Sequence, residues 1–139
     1  MSRFKKLSHT IWHCKYHIVW VPKYRLRILK SEVAEEVTSC IRAFSENQQA
    51  EIVELNVCED HVHLLVLIPP KVSVSNFVGT LKGRTAIRVF NRFRNLKTKP
   101  YWGNHFWAKG YCVDTVGLDE KMIRNYIKYQ ERKEKKAEN

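Results

Sequence analysis

Acidic residues are scarce in this chain: 14 Asp and Glu stand against 25 Lys and Arg, a formal charge of +11 over 139 residues. An excess of that size on so small a surface points to a polyanionic partner, nucleic acid before anionic membrane, the alternative being a basic surface kept for solubility. Long apolar runs are missing too. None approaches the roughly 20 residues that span a bilayer, and Met1-Ser2-Arg3-Phe4-Lys5-Lys6 leads into His, Trp and Lys rather than a signal core, so a cytoplasmic, non-membrane protein is expected. Cys14, Cys40, Cys58 and Cys112 form no C-x-x-C pair and are expected as reduced, mostly buried thiols. The absence of a P-loop, an H-E-x-x-H motif and a cysteine-rich zinc pattern removes support for an NTPase, a zinc protease or a zinc finger. No repeat or Gly/Ser linker divides the sequence, which predicts one domain over residues 1–139.

The chain carries clear strand and helix signals. Residues 11–21 are aromatic and β-branched and end at Pro22, as a strand does. A helix is predicted from Ser31 to about Gln48 on the recurrence of Val33, Val37, Ile41 and Phe44. Two strands, Ala50 to Val57 and His61 to Ile68, are joined as a hairpin through Cys58-Glu59-Asp60. After Pro69-Pro70, Ser75 is the expected cap of a long helix with Phe77, Val78, Leu81, Val89, Phe90 and Phe93 on one side, Gly79 and Gly83 weakening it. A strand is expected around Phe106–Val116, then a turn at Gly117 and a last helix from Asp119. The order β-α-β-β-α-β-α predicts an α+β, ferredoxin-like (split βαβ) fold: an antiparallel sheet with both crossover helices on one face, plus a C-terminal helix.

His61-Val62-His63 is the sharpest chemical feature. Alternate residues of a strand share a face, so both imidazoles point one way and Val62 the other, a workable pair of metal ligands. Alone, an H-x-H is more often two polar residues at a half-exposed strand end. On the last helix Tyr126 and Gln130 lie one turn apart, where a phenol can face a phosphate and an amide oxygen can reach a metal; alone, such a helix reads as core packing. Glu59 and Asp60 adjoin the histidines and suit either a hairpin turn or a hydrogen bond that orients an imidazole. His13 and His17 fall on one face of the first predicted strand, where hydrogen bonding is their commoner role. Arg84, Arg88 and Arg92 form an i, i+4, i+8 basic row on the long helix, with Lys82 and Arg94 near, that could bind DNA phosphates and read guanine edges, although charge rows are usually solvated faces. Trp102, Phe106 and Trp107 could stack unpaired bases, with core burial of at least two the commoner outcome.

Taken in order, His61-Val62-His63, the helix Tyr126-Ile-Lys-Tyr-Gln130, and the segments Trp12-His-Cys-Lys-Tyr-His-Ile-Val-Trp-Val-Pro-Lys-Tyr24, Leu81-Lys-Gly83 and Phe106-Trp-Ala-Lys-Gly110 resemble the single-tyrosine HUH transposases of small bacterial insertion sequences. The resemblance runs from about residue 9 to 131. It implies a homodimer that cleaves and rejoins single-stranded DNA at hairpin-forming transposon ends, leaving a 5′-phosphotyrosine and a free 3′-OH. It assigns Tyr126 as nucleophile and His61, His63 and Gln130 as ligands of Mg²⁺ or Mn²⁺. A second phenol, Tyr129, stands beside Gln130. The rival readings are a non-catalytic RNA-recognition module, whose aromatic RNP strand no segment here matches, and a replication initiator or relaxase, usually longer and with a different motif order.

Overall fold

The computed structural model describes residues 5–7, 10–99, 105–117, 128 and 132. In chain order they form strands β1 (Lys5–Leu7), β2 (Thr10–Trp12) and β3 (Lys15–Trp20), helix α1 (Ser31–Asn47), strands β4 (Glu51–Cys58) and β5 (His61–Leu67), helix α2 (Val74–Arg92) and strand β6 (Cys112–Val116). They divide into two compact units, Cys14–Thr115 and a second that takes in the chain up to His13 and from Val116 onward. Within the second, β1 and β2 pair antiparallel as a two-stranded ribbon.

In the larger unit the sheet order is β4-β5-β3-β6. With two helices as crossovers, this is the ferredoxin-like arrangement that the element order predicts. Strand β5 is central, antiparallel to both neighbours, and its alternation explains its position. Val62, Leu64 and Val66 are fully buried, while His61, His63 and Leu65 between them are only partly covered. The register puts Ile18 and Leu55 opposite Leu64, and Trp20 and Val57 opposite Val62, so one sheet face is continuously apolar. Against it pack Val37, Cys40, Ile41 and Phe44 of α1 and Phe77, Val78, Leu81, Val89 and Phe90 of α2, each set at helical spacing. Leu64 sits at the centre with no exposure. Leu64→Ala should therefore lower unfolding free energy by about 2–5 kcal/mol, read from urea denaturation.

Three expectations need correction. The strand predicted over residues 11–21 is broken at His13 and Cys14, so its first part pairs with β1 and His13 does not share a strand with His17. The cap of α2 is Ser73, not Ser75: the Ser73 hydroxyl accepts the Asn76 amide at 3.1 Å, the usual cap geometry. The last strand is only Cys112–Val116. Phe106 and Trp107 are buried in an irregular segment bonded to the end of β3, with Lys23 N–H donating to the Phe106 carbonyl and Ala108 N–H to that of Val21. Burial of the cysteines holds for Cys40; Cys14 and Cys58 are half-buried, Cys112 is exposed, and all four are free thiols. Among the described residues no helix is long and apolar enough to cross a membrane.

Candidate functional site

His61 and His63 open the central strand on the sheet face turned away from α1 and α2, as the strand period requires. The hairpin turn at Glu59 and Asp60 precedes them directly. Asp60 serves both as turn and as orienting group. One carboxylate oxygen lies 2.9 Å from His61 Nδ1, and the other accepts from Arg25 Nε at 3.1 Å. The hydrogen bond to His61, with help from the Arg25 charge, holds the Asp60 carboxyl below its usual range. An ionised carboxylate accepts only, so His61 donates from Nδ1, and in a neutral imidazole held this way the lone pair is on Nε2.

His63 is held differently. His17, on β3 opposite Leu65, shares its face of the sheet, and His17 Nδ1 lies 3.1 Å from His63 Nε2. The two rings are nearly parallel, 13° apart with centroids at 5.3 Å. Neither Arg25 nor His17 stands out as a partner of this pair from sequence spacing. For His17 a signal existed, since the ferredoxin-like order seats the first strand of the unit beside the one that bears the histidines. The donor set suits a divalent cation: two imidazoles on one face, with one tautomer fixed by a carboxylate. Among the described residues no group of three or more His, Cys, Asp or Glu could hold a metal, so further ligands would come from elsewhere in the chain, substrate or water.

Tyr126, Tyr129 and Gln130 lie outside the described residues, as does Trp102; Lys128 and Arg132, in the same stretch, are helical and exposed. The basic row on α2 turns towards α1. The Arg84 guanidinium lies over the Phe44 ring at 5.5 Å, and Arg92 pairs with Glu36 at 3.1 Å. Arg88 acts electrostatically on Cys40 between them. Lys82 donates to the carbonyls of Ala108 and Gly110 at 2.8 and 2.7 Å, and burial lowers its pKa. Its own carbonyl accepts from Trp107 Nε1 at 3.0 Å. Lys82 thus anchors the 106–110 segment to α2, and the three arginines, exposed at their outer ends, belong to the helical layer rather than the histidine face.

Comparison with known proteins bears on the whole of this arrangement. A family model described as "Transposase IS200 like" matches residues 10–130. The transposase for insertion sequence element IS200 of Salmonella typhimurium is 45% identical over 138 residues, covering 99% of this chain and 90% of that protein. The ISDra2 transposase TnpA of Deinococcus radiodurans is 35% identical over 131 residues, covering 94% and 93%. Among solved structures, a candidate transposase from Deinococcus radiodurans superposes with a TM-score of 0.73 at 34% identity, covering 92% of this chain and 96% of that one. A REP-associated tyrosine transposase bound to a REP hairpin shares the fold at a TM-score of 0.57 and 15% identity, over 93% and 70% of the two chains. Matched along nearly its full length by model, sequence and structure, the chain belongs to the family of IS200-like transposases.

Proposed function

We propose that residues 1–139 act as one transposase domain that cuts and rejoins single-stranded DNA at the ends of an insertion sequence. The observation that carries this reading is the histidine pair on one face of the central strand, with His61 Nε2 left open by the Asp60 hydrogen bond. In the proposed reaction the Tyr126 phenolate oxygen attacks the scissile phosphorus in line. The bond from phosphorus to the 3′ oxygen breaks, and that oxygen takes up a proton to become a free 3′-OH. The 5′ phosphate stays on the tyrosine as a diester, so a 3′-OH can reverse the step and join strands without ATP. His61 and His63, with Gln130, would hold Mg²⁺ or Mn²⁺. Withdrawal of charge from the phosphate and easier formation of a phenolate are what a divalent cation supplies at such a site.

The formal +11 charge supports DNA as the partner, and Arg84, Arg88 and Arg92 are the proposed phosphate contacts. Their place on the helical layer fits contact with a structured part of the DNA away from the strand being cut. A hairpin is what the REP-associated neighbour holds, and a hairpin-forming end is the substrate proposed for this chain. The test uses single strands from the DNA flanking the gene, chosen for subterminal palindromes. With Mn²⁺ a denaturation-resistant protein–DNA adduct should form on the single strand and not on the same sequence as duplex. Full adduct formation in EDTA would remove the metal from the mechanism, and absence of any adduct on every palindromic end would favour a binding module.

A further inference from the structure

The two histidines of the pair are not equivalent. His61 is pinned through Nδ1 by Asp60 and offers Nε2 outward, whereas the Nε2 of His63 is already engaged by His17 at 3.1 Å. Positions two apart on a strand are separated by about 7 Å, so two imidazoles at such positions meet at one cation most readily through their outer nitrogens, the Nε2 atoms. The nitrogen that His63 needs for that purpose is the one His17 occupies. A hydrogen bond and a lone-pair donation to a cation use the same orbital on Nε2, and if Nε2 carries the proton it has no lone pair to donate.

We infer that His17 is a latch on the metal site: it holds His63 through Nε2, and a cation would have to displace it to bind there. The inference rests on the metal reading proposed above. The near-parallel rings and the His17 bond fix the His63 ring against β3. Binding then breaks that bond, so part of the affinity for the cation is lost to the competition. One net hydrogen bond sets the size of the effect, a factor of about three to ten in affinity. A ligand role for His17 has the opposite sign, because removing a metal-binding nitrogen weakens binding.

The experiment measures Mn²⁺ binding to DNA-free protein by the free-ion electron paramagnetic resonance signal. His17→Phe keeps a stacked ring and removes the nitrogens, and His17→Leu removes the ring as well. Both are checked for folding by thermal denaturation, and either one that folds suffices. The latch predicts Mn²⁺ binding about threefold to tenfold tighter than in the wild type. Unchanged or weaker binding would overturn it, the weaker result marking His17 as a ligand. His63→Ala separates the two readings. If it binds Mn²⁺ as the wild type does, the metal reading itself fails and the latch with it. If it loses Mn²⁺, the metal reading stands and the sign of the His17 effect decides the latch.

Discussion

Replacing Tyr126 by Phe should leave binding to a hairpin end unchanged and reduce covalent adduct formation to background. Only the phenolic oxygen is removed, and the ring stays. An unperturbed phenol has a pKa near ~10, so at neutral pH it attacks only where its ionised form is favoured. A second phenol three residues on is not expected to substitute, because helical spacing would offset residues 126 and 129 by about 60° around the axis. Tyr129→Phe should therefore keep cleavage. The two variants are compared on the same labelled single strand, with adducts separated under denaturing conditions and binding measured by gel shift. An inert Tyr129→Phe beside an active Tyr126→Phe would reverse the assignment.

Much of the architecture could be read from local pattern, because local pattern caused it. The period-2 run from His61 to Leu67 is central because Val62, Leu64 and Val66 have a helical layer to bury against, and the same period turns His61 and His63 away from it. The helix spans were legible for the same reason, and α2 runs through Gly79 and Gly83 because its buried stripe outweighs their weak helix propensity. Competition between equal local signals was not legible. Residues 11–21 have strand propensity throughout, yet pairing with β1 claims Thr10–Trp12 and pairing with β5 claims Lys15–Trp20. Phe106 and Trp107 have strand-like composition. Trp107 is held instead by the Lys82 carbonyl and Phe106 by the end of β3, partners about 25 and 85 residues away in the chain whose contribution no window of sequence contains.

The candidate site divides along the same line. That His61 and His63 share a face follows from spacing, whereas their partners are only in part local: Asp60 is adjacent to His61, but Arg25, bonded to Asp60, and His17, beside His63, come from other elements. The basic row on α2 shows the converse case. Its i, i+4, i+8 spacing is legible, but which surface it faces depends on the packing of α1 against α2. Arg84 over Phe44 and Arg92 on Glu36 place it in the helical layer, with the sheet between it and the histidines. Substitutions in the row should therefore act on DNA affinity and its salt dependence rather than on the chemistry at His61 and His63.

Mixing two inactive proteins should restore cleavage if active sites are shared between subunits. His61→Ala removes the imidazole that Asp60 orients and should abolish adduct formation by itself; Tyr126→Phe should abolish it by removing the proposed nucleophile. Each keeps what the other lacks. The physical ground for sharing is where the chain divides. The histidines belong to the unit Cys14–Thr115, and Tyr126 follows that unit in the sequence. Gly117 comes between the two, with no Cβ to restrict the path of the chain. In a two-fold dimer each subunit gives and receives the same element, so a segment that follows the histidine unit in sequence can serve the partner's histidines. With equal amounts and random exchange, about half of the dimers are mixed, and each holds one complete site beside one that lacks both groups. Adduct should then appear on the His61→Ala chain alone, since only that chain carries the tyrosine, and a size tag on one variant makes this visible on the gel. If each tyrosine serves its own histidines, every site in the mixture lacks one group and no adduct forms. Exchange is confirmed separately by energy transfer between labelled subunits, so that a dimer too slow to exchange is not mistaken for unshared sites. Confirmed exchange without adduct would rule out sharing during cleavage.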